Sequence, residues 1–153
     1  MENEKIIDKY YQEAVKGLNE IVFQDKDLWY SYVIHLDSNV QVVYNVIVFH
    51  QQVLNGGLHQ YFFNSYGQFA YLTVENLKLI KAFKTAEILE SALSEVNIEH
   101  DDIDKFRENI FNRKNSRIVD FDNQLFDYLN DLDSKYYSLD EDIKKLLLNY
   151  LKS

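Results

Sequence analysis

VLNGGLHQYFFNSYG, residues 53–67, contains three of the four glycines of a chain that has no proline. Glycine tolerates a positive φ and proline breaks helices, so a chain with so few of either can run as helix after helix. The preceding run, residues 39–54, alternates valines like a strand but also fits a helical stripe. It lasts about sixteen residues without a turn signal, which is long for a strand and ordinary for a helix. We predict a helix that ends at Asn55-Gly56-Gly57 and a short helix over residues 58–65.

Apolar positions at helical spacing continue on both sides of this stretch, and a basic connector occupies residues 113–117. A Ser-x-x-Glu capping box at residues 138–141 predicts the start of the last helix. An acidic N-cap is expected before the helix that starts near residue 101. The pattern predicts an all-α fold, one domain over residues 1–153 with about seven helices. The other segments with a helical pattern cover residues 4–22, 25–36, 69–83, 85–96, 101–111 and 121–132.

Composition excludes several classes of protein. The 153 residues are 46% hydrophobic and 15% aromatic, which suits one domain with a sizeable core. The net charge of −9 predicts repulsion from nucleic acid and anionic membranes, so a charged partner should be basic. The absence of cysteine excludes disulfides and thiolate sites. Since no apolar run has the length of a signal peptide or a membrane span, we expect a soluble, cytoplasmic protein.

The acids concentrate in two segments. Residues 87–104 hold seven acids and no Lys or Arg, and residues 120–142 hold eight acids and one base, Lys135. An acidic face that keeps the protein soluble is the ordinary explanation. The other explanation is that these acids form a rigid surface that binds a basic partner. The candidate contacts are Glu95, Glu99, Asp101, Asp102, Asp104, Asp120, Asp122, Asp127, Asp131 and Asp133. Asp120, Asp127 and Asp131 would share one face of a continuous helix.

The segment NGGLHQYFFNSYG, residues 55–67, resembles the signature of the DNA-mimic-protein-like family, a bacterial family otherwise known as a domain of unknown function. NLKLIKAFKTAEILESAL and LNDLDSKYYSLDEDIKKLLLNYL are similar to its later helices, so the resemblance covers roughly residues 35–152. It implies an all-helical, acidic protein. It also implies a homodimer that imitates the charge of duplex DNA and binds a transcription factor. The motif itself contains no acid, so it indicates the fold better than the function.

The motif residues Asn55, Gly56, Gly57, Gln60, Asn64 and Gly67 allow two interpretations. Gln60 and Asn64 are four residues apart and share a helical face, where amides can bond each other and the nearby backbone. They could form a buried polar corner that locks two helices. Alternatively, they could line a small pocket with His59 at its rim. Amides cannot act as a general base near neutral pH, so catalysis would depend on His59 alone.

No other pattern in the sequence indicates catalysis, a cofactor or a metal. His35, His50, His59 and His100 form no pair at the spacing of metal ligands, and no phosphate-binding glycine loop is present. We therefore expect a non-enzymatic acidic interaction protein. In its most specific form, this prediction is a DNA mimic that binds a DNA-binding regulator through an acidic helical face. The alternatives are an immunity or antitoxin-like module that binds a basic toxin, and a small-ligand-binding protein that uses the region of His59, Gln60 and Asn64.

Overall fold

A computed structural model describes residues 2–153, and these residues form helices and no strand. The all-α prediction is confirmed, with ten α-helical segments rather than about seven within residues 2–153. The predicted helix over residues 4–22 divides into two, and the basic connector contributes another. The segments are α1 (Glu2–Val15), α2 (Glu20–Phe23), α3 (Lys26–Ile34), α4 (Ser38–Phe63), α5 (Ala70–Leu79), α6 (Phe83–Val96), α7 (Ile103–Phe111), α8 (Ser116–Val119), α9 (Asn123–Tyr137) and α10 (Ile143–Lys152), with a 3-10 turn at Tyr66–Phe69.

The ambiguous run at residues 39–54 is helical, as predicted, and belongs to the central helix α4. This helix packs against α1, α5 and α9. Residues 42–49 are all buried, and a helix that is buried all round needs no polar face. That explains why its valines alternate like those of a strand. The polar member of this run, Asn45, donates to Asn76 Oδ1 at 2.8 Å.

The predicted break at Asn55-Gly56-Gly57 is a bend inside α4. Gly57 alone has non-helical torsions, with φ 80° and ψ 179°, and the helix then resumes as far as Phe63. Asn64 ends it, and Ser65 follows with a φ of 68°. The chain thus changes direction twice within the motif, first at Gly57 and again at Ser65.

The predicted capping box at residues 138–141 is wrong. Helix α9 extends beyond residue 132 and ends at Tyr137, while α10 is capped by Asp142, which accepts from Lys145 N at 3.1 Å. Glu141 instead accepts from Lys84 N at 3.1 Å and from Thr85 N at 2.9 Å, at the start of α6. The carboxylate that the local pattern assigned to α10 therefore caps a helix distant in sequence.

Two clusters of buried side chains form the core. The larger extends over α4, α5, α6, α9 and α10, and the smaller surrounds Trp29 near the N-terminal helices. Tyr10, Tyr11 and Tyr66 pack against both clusters, so the helices form one compact unit. No helix within residues 2–153 has the length and apolar character needed to cross a bilayer.

Candidate functional site: the glycine bend and the acidic surface

A carboxylate from α9 occupies the space beside the glycine bend. A Cβ atom at Gly57 would lie 2.3 Å from Asp133 Oδ2, and the φ of 80° is one that side-chain-bearing residues rarely adopt. The N–H of Leu58, the residue that restarts the helix, donates to Asp133 Oδ1 at 2.8 Å. Both the positive φ and the close approach of Asp133 thus require a glycine at position 57. The hydrogen bond between Asp133 and Leu58 joins α9 to α4.

Asp133 is only 8% exposed, so it is not available as a contact on an acidic surface. Burial raises the pKa of its carboxyl from 3.8 to about 6, although the bond from Leu58 acts in the opposite direction. The sequence carried a signal for this position. Leu125 and Leu129 are buried on α9 at four-residue spacing, and Asp133 is the next position on that stripe.

His59 is buried, whereas the pocket hypothesis placed it at a rim. Its Nε2–H donates to the backbone oxygen of Ile118 at 2.8 Å, which ties α4 to α8. The ring stacks on Phe121 with centroids 4.3 Å apart. Burial lowers the pKa of His59, with the bond to Ile118 opposing that shift, so the ring is neutral at pH 7. A neutral imidazole bonded to a carbonyl serves as a structural link.

The amides of the motif lie near the surface and meet at a third amide. Gln60 Nε2 and Asn64 Nδ2 each donate to Gln52 Oε1, both at 3.1 Å, and Asn55 Nδ2 donates to Gln60 Oε1 at 3.4 Å. Gln60 is half-buried and Asn64 is exposed. The sequence did not indicate a role for Gln52 because it precedes the motif. Its position relative to Gln60 depends on the bend between the two residues.

The three residues of the pocket hypothesis do not converge on one cavity. A cleft of about 140 Å³ beside the bend is lined by Gly57, His59 and Asp133, but by neither Gln60 nor Asn64. Asn64 lines a separate cavity next to Trp29. Within residues 2–153, no group of three His, Asp or Glu side chains is arranged to hold a metal ion.

Several of the predicted acidic contacts bond to the protein's own backbone or side chains. Asp102 and Asp122 are the N-caps of α7 and α9, accepting from backbone N–H groups at 2.8 and 2.9 Å. The cap at Asp102 confirms the acidic N-cap expected there. Asp101 accepts from Asn109 Nδ2 at 3.2 Å and lies 3.5 Å from Lys105 Nζ. These carboxylates hold local structure whatever else they contact.

Arg117 brings the two acidic segments together. Its Nη2 lies 3.8 Å from Glu95 Oε2 and its Nε lies 4.0 Å from Asp122 Oδ1. Its Nη1 also donates to the backbone oxygen of Glu95 at 3.0 Å. Since Glu95 lies in the last turn of α6 and Asp122 caps the start of α9, one guanidinium joins the two acidic segments at this point. Sequence reasoning treated Arg117 only as part of a basic connector.

Four of the predicted contacts are exposed and form no ion pair within residues 2–153: Glu99, Asp120, Asp127 and Asp131. Asp104 is also open, with its side chain 93% exposed and 3.8 Å from Arg107. Asp127 and Asp131 share a face of α9. Asp120 does not lie on that helix, because it ends α8 and α9 begins at Asn123. We call Glu99, Asp104, Asp120, Asp127 and Asp131 the open carboxylates.

The fold and the site define a class of protein that is all-helical and acidic and has a glycine bend within its central helix. Residues 35–153 match the family described as DMP19-like protein, and the chain belongs to that family. The expected membership is therefore confirmed, with a match that includes the bend and both acidic segments. Neither the curated proteins nor the solved structures contain a match to this chain.

Proposed function

We propose that this protein is a non-enzymatic DNA mimic, which presents its open carboxylates to the DNA-binding surface of a regulatory protein. Membership of the DMP19-like family supports a mimic of this kind. The observation that carries the proposal for this chain is the bridge made by Arg117. It holds Glu95, in the last turn of α6, and Asp122, at the start of α9, against one guanidinium, so the two acid-rich segments meet at this point.

The physical basis is the electrostatic attraction that DNA-binding proteins use. Such proteins gain much of their affinity by placing Lys and Arg against phosphates, and this attraction weakens steeply with salt. Carboxylates that are already paired with protein cations contribute little to it. A basic surface could reach the open carboxylates without first breaking a capping bond, and of the five only Asp104 has an ion pair within the described residues, with Arg107 at 3.8 Å. A homodimer, as the family resemblance implies, would double their number.

A lysate capture experiment tests this proposal. The purified protein should retain a DNA-binding protein that elutes at moderate salt and that excess duplex DNA displaces. A triple variant, Glu99→Gln with Asp127→Asn and Asp131→Asn, should lose most of this capture. The matched control, Glu2→Gln with Glu4→Gln and Asp8→Asn on α1, removes the same number of charges elsewhere and should keep it.

Other outcomes would redirect the assignment. Capture of a basic toxin-like protein that duplex DNA does not displace would refute DNA mimicry and favour the immunity-type alternative. Equal loss in both triple variants would show that net charge, rather than the open carboxylates, drives binding. Binding that persists at high salt would contradict an electrostatic contact altogether.

A further inference from the structure

The cleft of about 140 Å³ beside the glycine bend is the right size for the end of one side chain. Helix α4 contributes Gly56 and Gly57 to its lining, and neither has a side chain that could fill it. Helix α9 contributes Phe126, Asp133 and Tyr137. Since sites for drug-sized molecules start at about 300 Å³, this cleft suits a narrower group.

Asp133 directs an unpaired oxygen into this cleft. Its side chain is more than nine-tenths buried, and Oδ1 accepts from Leu58 N at 2.8 Å, whereas no hydrogen bond reaches Oδ2 within residues 2–153. The unpaired side-chain atoms that are sealed from solvent in this part of the chain belong to Gln68 and Arg107, and Asp133 Oδ2 is not among them. Because Asp133 lines the cleft, a group that enters can reach Oδ2.

The charge of Asp133 has no partner in the described chain. Burial raises its pKa to about 6, so the carboxyl is mostly ionised at pH 7, and no Lys or Arg of residues 2–153 forms an ion pair with it. His59 and Tyr137 are the other titratable groups that line the cleft. Burial lowers the pKa of His59 and raises that of Tyr137, so both are neutral at pH 7. A buried charge without a partner is costly, and a cation in the cleft would offset that cost.

Two aromatic side chains line the cleft beside this carboxylate. Phe126 is 41% and Tyr137 is 55% exposed, so both are accessible to a partner. The Tyr137 hydroxyl donates to Val53 O at 2.8 Å, and the Phe126 ring packs against His59 with centroids 5.6 Å apart, so both rings are held in place. Aromatic rings attract cations and pack against the methylenes of long basic side chains. The lining thus fits an aliphatic stem that ends in a positive charge.

We propose that this cleft receives a lysine side chain of the basic partner, with the ammonium on Asp133 Oδ2 and the stem against Phe126 and Tyr137. Lysine fits better than arginine, because a guanidinium prefers both oxygens of a carboxylate and Leu58 already occupies Oδ1. Asp133 lies too deep to meet a flat surface as the open carboxylates do, but one extended side chain can reach it. The identity of the partner rests on the proposed function, whereas the cleft uses none of the open carboxylates.

An NMR titration of the full chain with N-acetyl-lysine methylamide at millimolar concentration tests the cleft without any partner protein. The amide signals of Gly57 and Leu58 should shift, and the neutral Nε-acetylated form of the same probe should not shift them. Asp133→Asn keeps the size of the side chain and an acceptor for Leu58, but it should weaken binding at least about tenfold because the charge is lost. Asp8→Asn, an exposed change of the same kind on α1, is the matched control and should bind as the parent does.

The pH profile separates a direct contact from a merely structural role of Asp133. A carboxyl with a pKa of about 6 passes from about nine-tenths ionised at pH 7 to about one-tenth at pH 5, so the affinity for the lysine probe should fall about tenfold over this range. Binding at ordinary exposed carboxylates would persist to about pH 4. Affinity that stays constant between pH 7 and pH 5 would contradict the contact with Asp133.

Three further results would overturn the proposal: no shift with the lysine probe, unchanged binding by Asp133→Asn, or tighter binding of the matching arginine probe. Lysate capture then distinguishes this proposal from DNA mimicry. Asp133→Asn should reduce capture of the DNA-binding protein. Full capture by Asp133→Asn, together with loss of capture in the triple variant of the open carboxylates, would exclude the cleft from the interface and leave DNA mimicry intact.

Discussion

The inner and outer faces of α9 use the same side chain in opposite ways. Asp133, on the inner face, is 8% exposed and accepts a hydrogen bond from Leu58 beside the bend. Asp131, two residues earlier, is exposed and belongs to the open carboxylates. One carboxylate therefore joins two helices while its neighbour faces solvent. Position relative to the buried stripe of a helix decides which role an acid has, and local acidity does not.

The largest loss of stability should come from replacing Gly57, because the absence of a side chain there leaves space for Asp133. Gly57→Ala would place a Cβ 2.3 Å from Asp133 Oδ2 and would strain a backbone with a φ of 80°. We expect a loss of about 3 kcal/mol or more in the free energy of unfolding, measured by urea denaturation.

Gly56→Ala is the control for this change. Its backbone is helical, and the Gln60 carboxamide that its Cβ would meet can rotate away, although Gln60 Cβ at 2.9 Å requires a small backbone shift. We therefore expect a smaller loss than at Gly57. Equal losses for the two variants would show that neither the torsion at Gly57 nor the contact with Asp133 sets the requirement for glycine.

The next effect isolates the hydrogen bond at the bend. Asp133→Asn keeps an acceptor for Leu58 N–H and removes the charge, whereas Asp133→Leu removes both at similar size. Since the two variants share the loss of charge, their difference measures the bond. Asp133→Leu should unfold more easily than Asp133→Asn by about 1 to 3 kcal/mol, which is the cost of an unpaired buried N–H. Equal stability of the two variants would mean that water replaces the carboxylate at this site.

The third prediction is a pH dependence of the free energy of unfolding that arises from Asp133 on the inner face of α9. The pKa of Asp133 is raised from 3.8 to about 6 by burial, so the folded state holds this proton more tightly than the unfolded chain does. Its contribution to stability is fully present below pH 4 and is lost as the pH rises through 6. Because the carboxylate lines a cleft that water can enter, we expect a change of about 1 to 2 kcal/mol rather than the full value of the shift.

The comparison that measures it is the difference in unfolding free energy between Asp133→Asn and the parent protein. That difference should increase in favour of Asp133→Asn between pH 4 and pH 7. Other carboxylates titrate in both proteins and largely cancel. A difference that stays constant over this range would contradict the raised pKa.

The sequence predicted more of the fold than of the site, for reasons that individual residues make clear. The helix over residues 39–54 followed from its length, and the N-cap at Asp102 followed from local chemistry. Glu141 was assigned to the wrong helix, because its backbone partners at residues 84 and 85 are distant in the chain.

The site depended even more on contacts distant in sequence. Asp133 was counted with the acids around it. The stripe of Leu125 and Leu129 indicates that it is buried, but only the tertiary fold shows that it bonds to the bend at Gly57 and Leu58. Arg117 could not be identified as a bridge until α6 and α9 lay side by side. Patterns within one helix are thus readable from sequence, whereas a bond between helices depends on the tertiary fold.

The smallest change in stability should come from neutralising the acids on the outer face of α9. Asp127 and Asp131 are four residues apart on α9, both exposed, and like charges at that spacing destabilise a helix by about 0.2 to 0.5 kcal/mol. The double change Asp127→Asn with Asp131→Asn should therefore leave stability unchanged or raise it by about that amount at low salt. The gain should disappear at high ionic strength, where exposed charges are screened. A loss above about 1 kcal/mol in urea denaturation would show that these carboxylates support the fold. The distinction between the two faces of α9 would then fail, and with it the view that the outer acids are free to meet a partner.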